Sequence, residues 1–294
     1  SSDVCSSDLQ ASQPNNSART QNQRLEIAMK TAVATVCIGA KNKPMRELTF
    51  PTLIDYAEKI GADFISFAQG YGERFLGVLN YEKLQAIELL EKYDRVIYLD
   101  ADILVSRECP NLAEMVPSHC LGAFIASRFS DLHNPTNLAI NKALGEIEWR
   151  RETRNPLILE SFNSGVLVLS KENAGALKEA LPAAERWCRH ISDDDSYLRL
   201  KDQPVLNYIA QKHAIPIHDI GYRFNHTNAR GSSADRFTSH IIHYAGTSHR
   251  REGRWIKTSK LTKMSIDARI LASRKLHRVA TQVPRLVRLL DSLV

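Results

Sequence analysis

The sequence predicts an α/β fold with a mostly parallel central sheet flanked by helices. Between residues 31 and 99, short β-branched runs alternate with one-sided helical patterns, the rhythm of crossover connections between parallel strands. The strand-like runs are apolar at nearly every position, as in a sheet covered on both faces. At 294 residues, 43% hydrophobic and 24% charged, the chain has the size and composition of a soluble globular protein with a full core.

The first strand is residues 31–38 (TAVATVCI), bounded by Gly39. A helix follows over 45–60, interrupted or restarted near Pro51 and ended by Gly61. Residues 64–68 form the second strand. Residues 81–92 (YEKLQAIELLEK) carry Leu84, Ile87, Leu89 and Leu90 on one helical side and run into a third strand, 95–99 (RVIYL). Further strands are expected at 122–126 and 165–169, helices at 171–190 and 204–212, and short strands at 215–219 and 240–244. Residues 129–160 show no period and read as a substrate-facing insertion.

The ends differ from this body. Residues 1–9 (SSDVCSSDL) read as an adaptor-derived artefact, and 1–26 as a whole as a disordered leader rich in Ser, Asn and Gln. Residues 27–258 form the expected α/β domain, and 259–294 a basic amphipathic helical tail. The net charge of +6 gathers late in the chain, from Arg250 to Arg288, whereas a nucleic-acid binder spreads its charge through the fold. No nucleic-acid partner is expected. The tail's Ile270, Leu271, Leu276, Val279, Leu286, Val287 and Leu290 interleave with Lys and Arg. That pattern fits an anionic membrane surface, and it equally fits docking on the body with a solvated basic face.

The five cysteines form no CxxC pair and read as buried thiols of a reducing compartment. No apolar run approaches the roughly 20 residues of a membrane span, and the polar N-terminus shows no secretory signal. A cytoplasmic location is expected, with peripheral membrane contact if the tail takes the first of its two roles.

The chemistry centres on YLDADILV, residues 98–105. A buried strand ends at Asp100, and period-2 geometry carries Asp102 to the same side of the departing chain. Open α/β sheets bind ligands at their carboxyl edges. Two hard carboxylates there suit Mn²⁺ or Mg²⁺, with phosphate oxygens in the remaining positions; the same pair also suits a surface turn. In IIHYAG, residues 241–246, His243 leaves a short strand, either as a structural residue or as the nitrogen of an O,O,N ligand set. In FNSGVLVLS, residues 162–170, Asn163 and Ser164 precede a strand, where an amide can bond sugar hydroxyls. In DQPVLNY, Asp202 suits a cap for the helix starting at Pro204, whereas Gln203 has no comparable structural role. The runs DDD (193–195) and GYG (70–72), and the pair His213 and His218, fit no metal or phosphate motif.

In order, TVCIGA, YEKLQ, YLDADILV, FNSGVLVL, DQPVLN, YRFN and HYAG resemble the family 8 retaining glycosyltransferases, the glycogenin and bacterial galactosyltransferase group, from Thr31 to Trp255. The resemblance implies a Rossmann-like glycosyltransferase type A fold and a UDP-sugar donor. It further implies hexose transfer to a saccharide, glycolipid or other hydroxyl acceptor. Asp100, Asp102 and His243 would hold Mn²⁺, with Ala101 between the two aspartates. Cys37, Ile38 and Gly39 would meet uracil and ribose through backbone, and Lys83 would lie near the donor. Asn163 and Ser164 would contact the sugar, and Gln203 and Asp202 would be the catalytic pair beside the anomeric carbon. The family's Lys-Pro-Trp after the histidine is missing. Gly246 is followed by Thr247, Ser248, His249, Arg250 and Arg251, so the diphosphate cation is expected at His249, Arg250 or Arg251. Two alternatives remain at this stage: a sugar-nucleotide-binding protein without catalysis, and a haloacid dehalogenase-like phosphatase, which also ends a strand in DxD.

Overall fold

The computed structural model describes residues 29–129, 161–190, 202–227, 233–245, 249–251, 254–256 and 260–292. The leader at 1–26, the insertion expected over 129–160 (beyond residue 129), the DDD run and Gly246 lie outside the described residues. β1 (Thr31–Val36) is buried over all but its last residue. α1 (Lys43–Lys59) runs on through Pro51 rather than breaking there. Pro51 and Glu47 both sit on the exposed side, so the Glu47 carbonyl that loses its donor can be hydrated. Gly61, at φ 67, allows the reversal into β2 (Asp63–Phe67).

The helix expected over 81–92 is instead a tight 3-10 run, Leu79–Leu84, one α turn, α2 (Gln85–Glu88), and a 3-10 turn, Leu89–Glu91. Four consecutive residues, Tyr81 to Leu84, are buried, which a one-sided α-helix does not achieve. The charged members of that run are partnered. Glu82 accepts the Tyr71 N–H at 2.8 Å, and Lys83 reaches the edge of the sheet.

β3 (Arg95–Leu99) leads through a turn into β4 (Ile103–Val105), then α3 (Leu112–Met115), β5 (Leu121–Phe124) and β6 (Asn163–Ser170). The helix expected over 171–190 is split into α4 (Ala174–Lys178) and α5 (Ala180–His190). Pro182 falls in the first turn of α5, where its missing N–H has no intrahelical partner to lose. α6 (Asp202–Lys212) and β7 (Ile217–Asp219) follow.

The central sheet has the order β2-β1-β3-β6-β5-β7. β1 pairs in parallel with β2 and β3, and β5 with β7, while β6 runs antiparallel to both its neighbours. The expected mostly parallel α/β sheet is therefore present, with one reversed strand. Alternate residues separate its two faces. Ala32, Val96, Tyr98 and Leu167 pack beneath the helices from Leu84 to Ile209, whereas Val33, Ile97, Leu99 and Val166 pack against Leu53 and Tyr56 of α1. Cys37, Cys109, Cys120 and Cys188 are buried thiols, not joined in disulfides.

A second sheet, ordered β4-β9-β8, joins β4 to β8 (His226–Thr227) and β9 (Ile241–His243). β4 and β8 are too short to carry a periodic signal. β10 (His249–Arg251) and β11 (Arg254–Ile256) form an antiparallel hairpin.

The tail folds as α7 (Lys260–Ala272), α8 (Arg274–Gln282) and α9 (Pro284–Ser292). Met264, Ile270, Leu271, Ala280 and Val287 share a buried cluster with Leu104, Phe237, Ile242 and Tyr244. These are contacts of a docked tail; Leu276, Leu286 and Leu289 remain exposed. Among the described residues, no helix is long and apolar enough to cross a membrane. Arg236 makes two parallel bonds to Asp267 of α7, at 2.6 and 2.8 Å, and the Tyr244 hydroxyl donates to the same carboxylate at 2.6 Å. Both charges are out of solvent, at 1% and 0% exposure. Removing one partner strands the other in the core. Asp267→Ala is expected to cost about 3–5 kcal/mol of folding stability, read as a lowered urea midpoint; an unchanged midpoint would show that this pair does not hold the tail in place.

Candidate functional site

Asp100 and Asp102 flank the step from one sheet to the other. The Asp100 N–H donates to the Gly165 carbonyl at 2.9 Å, and the Asp102 carbonyl accepts the Tyr244 N–H at 3.0 Å. Residues 101 and 102 form a turn, so the two carboxylates are not carried to one side by strand alternation as the sequence suggested. They converge because the chain bends between two ladders. β4 then pairs antiparallel with β9 in the register Ile103↔His243, which sets the imidazole against the turn. His243 Nε2 lies 3.6 Å from Asp100 Oδ2 and 3.3 Å from Asp102 Oδ1. One ligand atom from each of the three residues lies within 4.8 Å of the others, a grouping able to hold a metal ion.

The reversed strand completes the site. Because β6 is antiparallel to β3, with Leu99 opposite Val166, its first residues lie at the edge where β3 ends. A parallel β6 would put Asn163, Ser164 and Gly165 at the opposite edge. Gly165 also makes room for the imidazole. A Cβ there would overlap the ring, standing 2.6 Å from His243 Nδ1 and 3.0 Å from Asn163 Oδ1. Asn163 is held by accepting the Gly165 N–H at 2.9 Å and donating to Gln203 Oε1 at 3.2 Å.

Lys83 ties this cluster to α6. Its ammonium is 3.0 Å from Asp100 Oδ1 and 2.7 Å from Asp202 Oδ2, and it donates to the Ser164 carbonyl at 3.2 Å. Ser164 Oγ donates to Asp202 Oδ2 at 2.5 Å, so this carboxylate oxygen is engaged by the site as well as lying in the first helical turn. Tyr98 donates its hydroxyl to Asp100 Oδ1 at 2.9 Å. From the tail, the Lys260 ammonium pairs with Asp102 Oδ2.

The charges shape one another. Burial disfavours the Lys83 ammonium, yet Asp100 and Asp202 outweigh it and raise its pKa above that of an ordinary lysine. Burial also opposes ionisation of Asp102, but Lys260 and an imidazole carrying both its ring protons at His243 overcome it and hold the carboxyl well below the usual range. At Asp100 burial prevails over Lys83 and His243, and the pKa rises.

Lys83, Asp100, Asp102, Asn163, Ser164, Asp202, Gln203 and His243, named separately from the sequence, thus form one connected network. Ala101 is the buried link between the aspartates. Cys37, Ile38 and Gly39 leave β1, the parallel neighbour of β3, at the same carboxyl edge, and Gly39 adopts φ 86. His249 is described only as backbone in β10, so the sequence expectation for a cation at His249, Arg250 or Arg251 lies outside the described side chains. Three polar residues at the site were missed. Tyr98, whose hydroxyl meets Asp100, was quoted only as part of YLDADILV. Asn225 ends the YRFN motif, quoted in the resemblance without a role. Lys260 stands 158 positions from Asp102 with no motif around it.

An open, mostly parallel sheet with an acid and imidazole cluster at its carboxyl edge is the plan of enzymes that bind a nucleotide-bearing ligand outside their strand ends. The sequence pattern described as Glycosyl transferase family 8 matches residues 46–249, and the chain belongs to that family. It is a glycosyltransferase of the type A fold, and the phosphatase alternative falls with that assignment.

Similar solved structures share few residues. A glycosyltransferase acting in glycosylation of the major capsid of PBCV-1 is 14% identical, with a TM-score of 0.48 over 81% of this chain and 99% of that one. The galactosyltransferase LgtC, solved with donor and acceptor sugar analogues, is 16% identical, with a TM-score of 0.47 over 80% and 95%. Mouse xyloside xylosyltransferase 1 is 14% identical, with a TM-score of 0.44 over 74% and 98%. At these scores the family assignment rests on the sequence match alone. Among curated proteins, none matches the chain.

Gly165→Ala tests the geometry without touching a charged group. The methyl is expected to displace the His243 ring, read as a shift of its imidazole ¹H–¹⁵N signals from those of the wild type, while circular dichroism stays that of a folded chain. Unaltered imidazole signals would mean that Gly165 does not make the room the ring occupies.

Proposed function

We propose that this glycosyltransferase moves a hexose from a UDP-sugar to a hydroxyl of a saccharide or glycolipid acceptor, with retention, using Mn²⁺ or Mg²⁺ held by Asp100, Asp102 and His243. The single observation that carries this reading is the convergence of those three side chains, from segments far apart in sequence, within 4.8 Å in a family 8 chain. Two carboxylate oxygens and an imidazole nitrogen suit Mn²⁺ well and Mg²⁺ acceptably. When bound, such an ion supplies positive charge against the departing diphosphate.

The residues of the chain supply the rest. Cys37, Ile38 and Gly39 offer backbone groups at the neighbouring strand exit for uracil and ribose. Asn163 and Ser164 orient the sugar at the start of β6. Asp202 is neutralised by Lys83 and acts chiefly by fixing that lysine and Ser164. That leaves Gln203, whose amide oxygen faces Asn163, to stabilise the oxocarbenium-like state on the sugar side.

Lys260, at 27% exposure and paired with Asp102, takes the diphosphate-binding role that the sequence sought at His249, Arg250 or Arg251. Its position makes α7 part of the donor site.

UDP release from a panel of UDP-glucose, UDP-galactose and their N-acetyl forms, with Mn²⁺ or EDTA, tests the reading. Asp100→Asn and Asp102→Asn are expected to lower turnover about 10²-fold or more, the scale of losing charge stabilisation in an active site. Full turnover in EDTA sinks the metal, and UDP binding without turnover would leave a sugar-nucleotide-binding protein. Lys260→Ala is expected to lower kcat/KM for the donor about tenfold or more, as befits a lost contact between charged groups, with Lys260→Arg partly restoring it. Equal kcat/KM in both variants and the wild type would return the role to the β10–β11 hairpin.

A further inference from the structure

Resting on the metal reading above, we infer that Asn225 is a positioning residue that locks His243 in the tautomer whose bare nitrogen faces Asp100 and Asp102. Four polar groups form a chain whose polarity is fixed at one end. The backbone N–H of Gly165 can only donate, so the Asn163 atom 2.9 Å away is its oxygen. Asn225 meets that same oxygen at 2.8 Å and must offer its NH₂ group. The Asn225 oxygen is thereby turned the other way, to His243 Nδ1 at 2.8 Å. An acceptor at that distance requires a proton on Nδ1. In the neutral ring Nε2 is then unprotonated, and Nε2 is the atom 3.3 Å from Asp102 Oδ1.

The surroundings leave little freedom to escape this polarity. Asn225 is 0% and His243 3% exposed, so neither can exchange a partner for bulk water. The turn Tyr222–Phe224 delivers Asn225, whose N–H donates to the Tyr222 carbonyl at 3.0 Å, immediately before β8. β8 runs parallel to β9 with Thr227 opposite His243, and the Asn225 side chain, two residues before Thr227, reaches along the small sheet to the imidazole. At the far end of the chain Asn163 donates to Gln203 Oε1, so the same hydrogen bonds that prepare the imidazole also orient the amide assigned to the sugar side. A flipped Asn225 would set its oxygen against the Asn163 oxygen, a buried mismatch costing about 1–3 kcal/mol.

The experiment has two readouts. In metal-free protein at alkaline pH, a long-range ¹H–¹⁵N spectrum, assigned by the signals lost in His243→Gln, is expected to show the Nδ1–H tautomer. The Nε2–H tautomer would overturn the inference. Mn²⁺ dissociation constants measured by electron paramagnetic resonance form the second readout. Asn225→Leu is expected to weaken Mn²⁺ about 10–100-fold, as loss of a ligand-orienting partner does. Asn225→Asp, which keeps an acceptor for Nδ1–H, is expected to lose less. Wild-type affinity in Asn225→Leu, or equal losses in both variants, would assign Asn225 to packing alone. Nδ1–H in a wild-type protein that binds no Mn²⁺ would support the tautomer and overturn the metal reading, so the two failures are distinguishable.

Discussion

The site depends on the antiparallel pairing of β4 with β9. Ile103 opposite His243 is one rung of a three-residue ladder, yet it fixes an imidazole against two aspartates that the chain passed far earlier. Asp102 cannot slip relative to His243, because its carbonyl is held by the Tyr244 N–H, the next bond in line. A shift of one residue would turn His243 to the opposite face of the small sheet. Gly165 supplies the complementary condition, an absent side chain where the ring needs space.

Bringing two carboxylates together away from bulk water is costly unless cations accompany them. Lys83 answers Asp100 and Asp202, and Lys260 answers Asp102. One comes from a 3-10 turn packed on the face of the sheet that carries Tyr98, the other from the first residue of α7. The electrostatic balance of the site therefore reaches into the tail. The buried pair of Arg236 with Asp267 has the same effect through the fold, because it anchors α7 to the segment preceding β9.

Much of the architecture was legible in the sequence. β1, β3 and β9 fall nearly where their apolar runs placed them, since a buried strand needs continuous apolar residues on both faces. Asp100, Asp102, His243, Asn163 and Gln203 were each marked by local chemistry and, together, by resemblance to a family. Other elements were misread for local reasons. Residues 79–91 wind tightly to bury Lys83, and Pro51 sits where water can replace its missing donor. Asn225 was visible as the last letter of YRFN, but nothing in the chain states what its amide faces. Lys260 was visible only as one cation of a basic tail, with nothing to link it to Asp102.

The sequence by itself determined the main strands of the central sheet, which side chains are of a type suited to metal or sugar chemistry, and to which family the motifs point, because those properties follow from side-chain type and short-range period. Tertiary structure alone decided that β6 runs backwards, that His243 faces Ile103, that Asn225 turns its oxygen to the imidazole and that a tail lysine meets Asp102. Each of these is a contact between segments far apart in the chain. Its energy comes from strand register, hydrogen-bond polarity or charge pairing across space, and local sequence does not encode which distant partner will satisfy it.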